Sequence, residues 1–338
     1  MAEATVSAGY ADNLMRFAEA RGVSPERLIE ASGIHPNDLQ DPDNRIEFTR
    51  YVALMRAAKQ LCADPALALH LGAARDFREF SVVGLICYAS ATMGEALAQL
   101  NRYGQLAIEV DLPRRGVGRF ELMRIDGGLW LVDMRTDPNS FPEMTESTWS
   151  RFISETGRHF PDAPFAMAVH FTHAEPDHAA DYAAVLKAPI IFGSDRNAIQ
   201  IDPSWLSIEL HNPNRYVFGV LSEHADRLLK SLEDAQTVRG RVEALLIPIL
   251  HRGDVGMDMI AAQLGLSRQS LYRRLKRENI SYDDLVDALR HKMALHYLSG
   301  RKASVNETAY LVGFSDPSAF SRAFKRWTGA NPRDVRMR

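Results

Sequence analysis

The side chains best suited to recognise another molecule lie near the end of this chain. Arg268 and Tyr272, and likewise Gln269 and Arg273, lie about one turn apart in a stretch with helical spacing. An Arg fork pairs bidentately with a guanine edge, and a Gln amide does the same with adenine. A Tyr ring can lie on a sugar or touch a thymine methyl. Arg274, Lys276 and Arg277 stand further round the same stretch and suit phosphate oxygens. A second set follows in Ser318, Ala319, Ser321, Arg322 and Lys325. It is smaller and poorer in donors, with Arg322 as its strong candidate for a base edge.

Other reactive residue types are present without the patterns that catalysis needs. His170 and His173 are three apart on an expected strand, where they point to opposite faces and make a poor metal pair. Cys62 and Cys87 have no partner at C-x-x-C spacing and are expected as free thiols in a reducing compartment. Gly116-Val117-Gly118 lacks the third glycine, the preceding strand and the following helix of a nucleotide loop. Glu143 and Glu146, three apart on an expected helix, read as a solvated face. Trp130, Phe141, Trp149, Phe160, Phe165, Phe171 and Trp205 could line a cavity, but core packing is the expected role. No catalytic residue, metal or cofactor is expected, and the chain does not read as an enzyme.

The elements that carry the first group have a recognisable order. A helix is expected over Val238–Leu250. A short apolar face of Met259, Ile260 and Leu264 then meets Gly265, which can end a helix in the left-handed conformation. Ser267 is a good N-cap for a second helix with Leu271 and Leu275 inward. That is the helix-turn-helix pattern. It recurs with Val305, Thr308, Ala309 and Val312, then Gly313, a Ser315 or Asp316 cap, Pro317 at the helix start, and Phe320 and Phe324 inward. Leu271 to Phe320 and Leu275 to Phe324 are both offsets of 49 residues. Between the repeats Tyr282, Leu285, Val286, Leu289, Met293 and Tyr297 form one helical stripe. The helix Tyr282–Leu298 would make a rod of roughly 25 Å, suited to units set about one DNA turn apart.

The run Gly313-Phe314-Ser315, then Phe320 to Arg326, Gly329 and Pro332, resembles the signature of the AraC/XylS family over residues 237–338. The resemblance implies double-stranded DNA as a partner, base contacts from both second helices, and RNA polymerase as a further partner. It puts Arg268, Gln269, Tyr272, Arg273, Lys276, Arg277, Ser318, Ser321, Arg322 and Lys325 at the DNA. Small Ser318 and Ala319 leave open whether the second unit reads bases or anchors to phosphates.

Charge follows the same division. Arg241 to Arg338 holds 17 Lys and Arg against 10 Asp and Glu, leaving 23 against 33 in the preceding 240 residues. A basic segment on an acidic body suits a DNA-binding domain fused to one that does not bind DNA. With 338 residues, 46% of them hydrophobic, the chain can fill two cores. No apolar run approaches a membrane span of roughly 18 residues, and no signal peptide is visible, so a cytoplasmic protein is expected.

Residues 1–213 read as a mixed α+β domain. Helices are expected over Tyr10–Ala20, Pro25–Ala31, Ile46–Leu61, Pro65–Ala73, Met93–Val110 and Pro142–Phe160. Strands are expected on either side of a Gly127-Gly128 turn, at Pro164–Thr172, Pro189–Phe192 and Ala198–Ile201. Length, position and texture resemble the arabinose-binding-like ligand domain of one branch of the family. That implies a small-molecule effector, a homodimer, or both. A connecting helix over 214–236 leads to an all-α domain at 237–338 with its two helix-turn-helix units joined by a linker helix. Val217, Val220, Leu221, Leu228, Leu229 and Leu232 would either pair two chains or pack that connecting helix on its own domain. The readings are then a ligand-responsive regulator, an activator by family resemblance; a regulator governed by a partner protein or by dimerisation alone; and an enzyme with a DNA-binding appendage, which lacks its reactive-cysteine motif here.

Overall fold

The structure is a computed structural model that describes residues 4–79, 81–114, 117–210, 213–299 and 302–337. Gly116, part of the Gly-Val-Gly motif, lies outside the described residues. The chain forms two compact units, one up to Leu229 and one from Lys230 onward.

In the first unit, β1 (Thr5–Ser7) pairs antiparallel with β2 (Arg45–Glu47). The expected helix from Ile46 therefore starts at Phe48, because Ile46 and Glu47 are held in that ladder. Helices α1 (Ala8–Glu19), α2 (Pro25–Ser32) and α3 (Phe48–Leu61) enclose a core of Leu14, Leu28, Leu54 and Met55. After them come α4 (Leu67–Ala74), α5 (Val82–Ala89) and α6 (Met93–Ala107). The apolar stretch of α5 has too little periodicity to be marked in sequence.

A second core lies under a five-stranded sheet. Its strands are β3 (Phe120–Ile125), β4 (Gly128–Asp133), β5 (Ala168–His170), β6 (Ile190–Ile191) and β7 (Ala198–Ile201). Their order is β3-β4-β7-β5-β6, antiparallel except for β5 with β6. The β3–β4 hairpin turns on Asp126 and Gly127, with φ of 50° and 80°, one residue before the expected pair. A two-residue turn of this hand needs positive φ at both positions, and Asp-Gly supplies it. Gly128 then opens the strand opposite Ile125. Helices α7 (Glu143–His159) and α8 (Ala179–Leu186) follow β4 and β5, and α9 (Arg215–Gln236) leads out of the unit. Phe141, Trp149, Phe171 and Trp205 are buried as expected.

Glu143 and Glu146 do not form a solvated face. Glu143 pairs with Lys59 at 2.8 Å. Glu146 is buried, and its Oε1 accepts from the Tyr182 hydroxyl at 2.7 Å. The apolar stripe of α7 is wide enough to take Glu146 inward with it.

The second unit has helices and no strand among its described residues. It runs through α10 (Val238–Leu246), a 3-10 segment (Ile247–Arg252), α11 (Met257–Gln263), α12 (Arg268–Arg277), α13 (Tyr282–Ser299), α14 (Val305–Leu311), α15 (Pro317–Thr328) and α16 (Pro332–Met337). Two apolar clusters fill it. One holds Val242, Leu246, Ile260, Leu271, Leu275, Leu285 and Leu289. The other holds Ala294, Leu298, Ala309, Val312, Phe320 and Phe324. Met259 was expected inward and is exposed. Because α11 starts at Met257, the residues at helical spacing that turn inward are Met257, Ile260 and Ala261.

Burial lifts the Glu146 carboxyl from its ordinary 4.5 to about 7, against the opposing hydrogen bond from Tyr182. The folded chain thus keeps a proton that the unfolded chain releases. This group's stabilising effect is complete below about 4.5 and is lost as pH rises through about 7. Urea unfolding of Glu146→Gln should lack that fall. The wild-type chain should lose up to about 3 kcal/mol relative to the variant between about pH 4.5 and about pH 8. Parallel stability–pH curves for the two proteins would show that Glu146 ionises normally.

Candidate functional site

The outer face of α12 is set by what its inner face buries. Leu271 and Leu275 are fully inside, so Arg268, Gln269, Tyr272, Arg273, Lys276 and Arg277 are all exposed. The helix starts cleanly because Ser267 Oγ accepts the Ser270 N–H at 3.2 Å. Gly265 makes the turn before it at φ 65°. Lys276 Nζ sits 5.9 Å from the Tyr272 ring centroid. Arg268 reaches back to Asp258 on α11 at 2.7 Å. Both partners face water, so the pair is weak and easily exchanged. Among the described residues no hydrogen bond or ion pair holds the Arg273 guanidinium.

The second helix-turn-helix repeats the arrangement with different chemistry. Of the two expected caps, Asp316 does the capping: it accepts the N–H groups of Ser318 and Ala319 at 3.0 and 3.1 Å. Phe320 and Phe324 are buried; Ser318, Arg322 and Lys325 are exposed. Ser321 is half-buried, and its Oγ donates to the Pro317 carbonyl at 2.9 Å. Its hydroxyl is thus engaged within its own helix.

The two helix-turn-helix units are locked together at the second turn. Gly313 has φ 84°, and a Cβ there would lie 2.2 Å from the Leu250 carbonyl. Arg290 of α13 donates to the Gly253 carbonyl at 2.9 Å and lies 5.2 Å from the Phe314 ring centroid. At the other end Glu278 accepts the N–H groups of Val238 and Arg239 at 2.8 and 2.9 Å, capping α10.

The first unit contains a cavity of about 380 Å³ between α5, α6 and α7. Met93, Leu97, Leu100, Phe152, Phe160 and Phe165 supply apolar wall. Phe165, expected in the core, is buried there and also lines this space; Phe160, likewise expected in the core, is half-buried against that core and lines the space too. Polar groups in the lining form a bonded set. The Tyr88 hydroxyl donates to Glu155 and lies 3.0 Å from His159 Nε2. Glu155 also accepts the Phe77 N–H at 3.2 Å and pairs with Arg158 at 3.1 Å. Cys87 donates to the Ala96 carbonyl at 3.4 Å, and burial pushes its thiol up to about 12, far from a reactive thiolate. Another part of α6 holds α9: Tyr103 and Arg102 bond to Asp226 at 2.8 and 2.9 Å, and Glu95 pairs with Arg215 at 2.9 Å.

Residues 22–210 match the family model described as the arabinose-binding domain of AraC transcription regulator, N-term. The chain belongs to the AraC family of transcription regulators. Residues 260–338 match a helix-turn-helix domain. The chain is similar along its length to the ornithine utilization regulator of Pseudomonas aeruginosa, with 28% identity over 339 residues, 98% of this chain and 96% of that one. The regulator VirS of Mycobacterium tuberculosis is 24% identical over 335 residues, 97% of this chain and 94% of VirS. The transcriptional activator RhaS of Escherichia coli is 38% identical over 85 residues, 25% of this chain and 31% of RhaS. This AraC-family chain is a DNA-binding transcription regulator, with a mixed α/β N-terminal domain and a helical helix-turn-helix domain.

Other candidates from sequence are dispersed. His170 Nδ1 contacts Ser194 Oγ at 3.0 Å, whereas His173 lies past the strand end with Nδ1 against the Ala174 carbonyl at 2.9 Å. Among the described residues no cluster of three His, Cys, Asp or Glu is placed to hold a metal, and no helix is long and apolar enough to cross a membrane. Arg290, Glu278 and Asp226 escaped the sequence reading. Each acts on an element distant in the chain, and no local pattern marks it.

The two turn glycines should respond differently to a methyl group. At Gly265 a Cβ meets nothing within 4 Å, so Gly265→Ala bears only the strain of its positive φ, about 1 kcal/mol. Gly313→Ala adds a collision with the Leu250 carbonyl and should be more destabilising by roughly 2 kcal/mol or more. Chemical unfolding followed by circular dichroism compares them. Equal losses would mean that the second turn is not pressed against the 3-10 segment.

Proposed function

We propose that this AraC-family regulator activates transcription by setting α12 and α15 into adjacent major grooves, under control of a small molecule in the N-terminal cavity. The observation that carries the DNA part is the equivalent placing of two exposed arginines. Arg273 lies midway between buried Leu271 and Leu275, and Arg322 midway between buried Phe320 and Phe324. Both must project from the domain. On this reading Arg273, Gln269 and Tyr272 meet base edges. Arg268 joins them on releasing Asp258, and Lys276 and Arg277 meet phosphates. Arg322 is the base reader of α15, flanked by Ser318 and Lys325 as backbone contacts, while Ser321, expected at the DNA, has its hydroxyl turned to Pro317. The 18 residues of α13 span roughly 27 Å, compatible with successive grooves.

Activation is supported by the similarity of the C-terminal segment to RhaS, a transcriptional activator, with RNA polymerase as the implied partner. Effector control is supported by α6, which lines the cavity and also grips α9 through Asp226 and Arg215. A ligand that displaces α6 would bear directly on the helix leading to the DNA-binding residues. We assign the effector and dimerisation roles to residues 1–213, the connection to 214–236 and DNA binding to 237–338, in a cytoplasmic protein. Homodimerisation would extend onto the connecting segment, where Tyr216, Val217 and Val220 are exposed at the start of α9.

Arg273→Ala should weaken binding to the specific site by about 1–3 kcal/mol and relax preference at one base position, with a smaller effect on scrambled DNA. Arg322→Ala should act in the same way but more weakly. Arg277→Ala should weaken all sequences alike and reduce the salt slope by about 1. Fluorescence anisotropy on operator and scrambled duplexes separates the cases. An equal loss on both duplexes for Arg273→Ala would make that residue a phosphate anchor. For assembly, light scattering at tens of micromolar should find the wild type as a dimer and Val220→Glu shifted toward monomer. A wild-type monomer with and without DNA would remove dimerisation from the reading.

A further inference from the structure

We propose that the N-terminal cavity takes a largely apolar molecule, with an aromatic or alicyclic body and at most one polar head, and excludes sugars and basic amino acids. This rests on the reading of the cavity as the effector site. Its volume of about 380 Å³ holds roughly a dozen water-sized groups. That suits a one- or two-ring molecule. The wall is built for such a body. Phe160 and Phe165 both stand edge-on to buried Trp205, with centroids at 5.5 and 5.1 Å. Phe152 is edge-on to Phe120 at 5.5 Å. The aromatic side is therefore held by the core and largely preformed.

The polar groups of the lining have little capacity to spare. Thr156 Oγ1 donates to the Phe152 carbonyl of its own helix at 2.6 Å. Arg78 is turned to Asp76, its Nε donating at 2.8 Å. Glu155 is the carboxylate among the described lining residues, and it already accepts from Tyr88, the Phe77 N–H and Arg158. The Tyr88–His159 pair and the Arg78 and Arg151 guanidiniums are left as the places where one head group can exchange hydrogen bonds. A pentose would bring several hydroxyls into a wall that is otherwise apolar, and those left without a partner there oppose binding. A diamino acid would bring two ammonium groups to one occupied carboxylate, while Arg78 and Arg151 could pair only with its single carboxylate. The chemistry here thus departs from the sugar in the matching domain's description and from the ornithine in the name of the Pseudomonas relative.

The test is calorimetric titration of the full-length chain with 2-naphthol, indole, L-arabinose and L-ornithine. It is repeated on Ala96→Phe and Met93→Trp, two independent ways of filling the cavity, with folding checked by circular dichroism. The proposal expects binding of 2-naphthol or indole that weakens at least about tenfold in a folded variant. It expects no binding of arabinose or ornithine at millimolar concentration. Arabinose or ornithine binding that the filled variants lose overturns the ligand class and leaves the effector reading standing. If none of the four binds, or if naphthol binding survives in both variants, the cavity assignment falls with it.

Discussion

The DNA-binding half of this molecule depends on one helix that has two cores to serve. The first half of α13 puts Leu285 and Leu289 into one apolar cluster, and its second half puts Ala294 and Leu298 into the other. Met293 packs against both. A buried Leu stabilises by roughly 1.5–3 kcal/mol, so α13 contributes a large share of each cluster. Helices as short as α11 and α14, seven residues each, have no stability of their own. They persist because α13 and the recognition helices close over them. The same sharing holds α12 and α15 to one helix, and the close approach of Gly313 to Leu250 and the Arg290 bond to Gly253 tie the second turn to the chain that follows α10.

This division of labour explains how much was visible in the sequence. The second unit is built from local signals. Ser267 and Asp316 cap helices, Gly265 and Gly313 turn left-handed, and paired apolar residues recur at a fixed offset. Each signal needs only a few neighbouring residues to be read. The first unit is built from long-range pairing. Strand β7 lies between β4 and β5, and β1 depends on a partner forty residues away. Short strands of this kind have weak periodicity, and α5 is apolar on most of its surface. The exposed site residues on α12 were legible because they are the complement of the buried ones. The engagement of Arg268 with Asp258 was not, since a separation of ten residues hides a contact made across a turn.

Aromatic residues in the first unit illustrate a further limit. Phe160, Phe165 and Trp205 have the same composition signal and pack in one core, yet the two Phe rings also line the cavity. A cavity is a missing side chain as much as a present one, and a sequence pattern records only what is present. The polar set of Tyr88, Glu155 and His159 shares this property. Its members come from α5 and α7, and only packing of those helices around α6 makes them neighbours.

The two recognition helices differ in what their side chains leave free. On α12 the exposed groups project as long, donor-rich arms, and Arg273 has no hydrogen bond or ion pair among the described residues. On α15 Asp316 caps the helix start, and Ser321 gives its hydroxyl to the Pro317 carbonyl. Ser318 is short, so Arg322 and Lys325 hold most of the reach. The α15 start also carries a carboxylate at the end that would approach a phosphate or a base. Repulsion there opposes close entry, and Arg322 offsets it only in part. The better-supplied helix is therefore also the one without an acidic cap, since Ser267 caps α12 with a neutral hydroxyl. Affinity and selectivity are expected to concentrate on α12, with α15 setting register along the duplex.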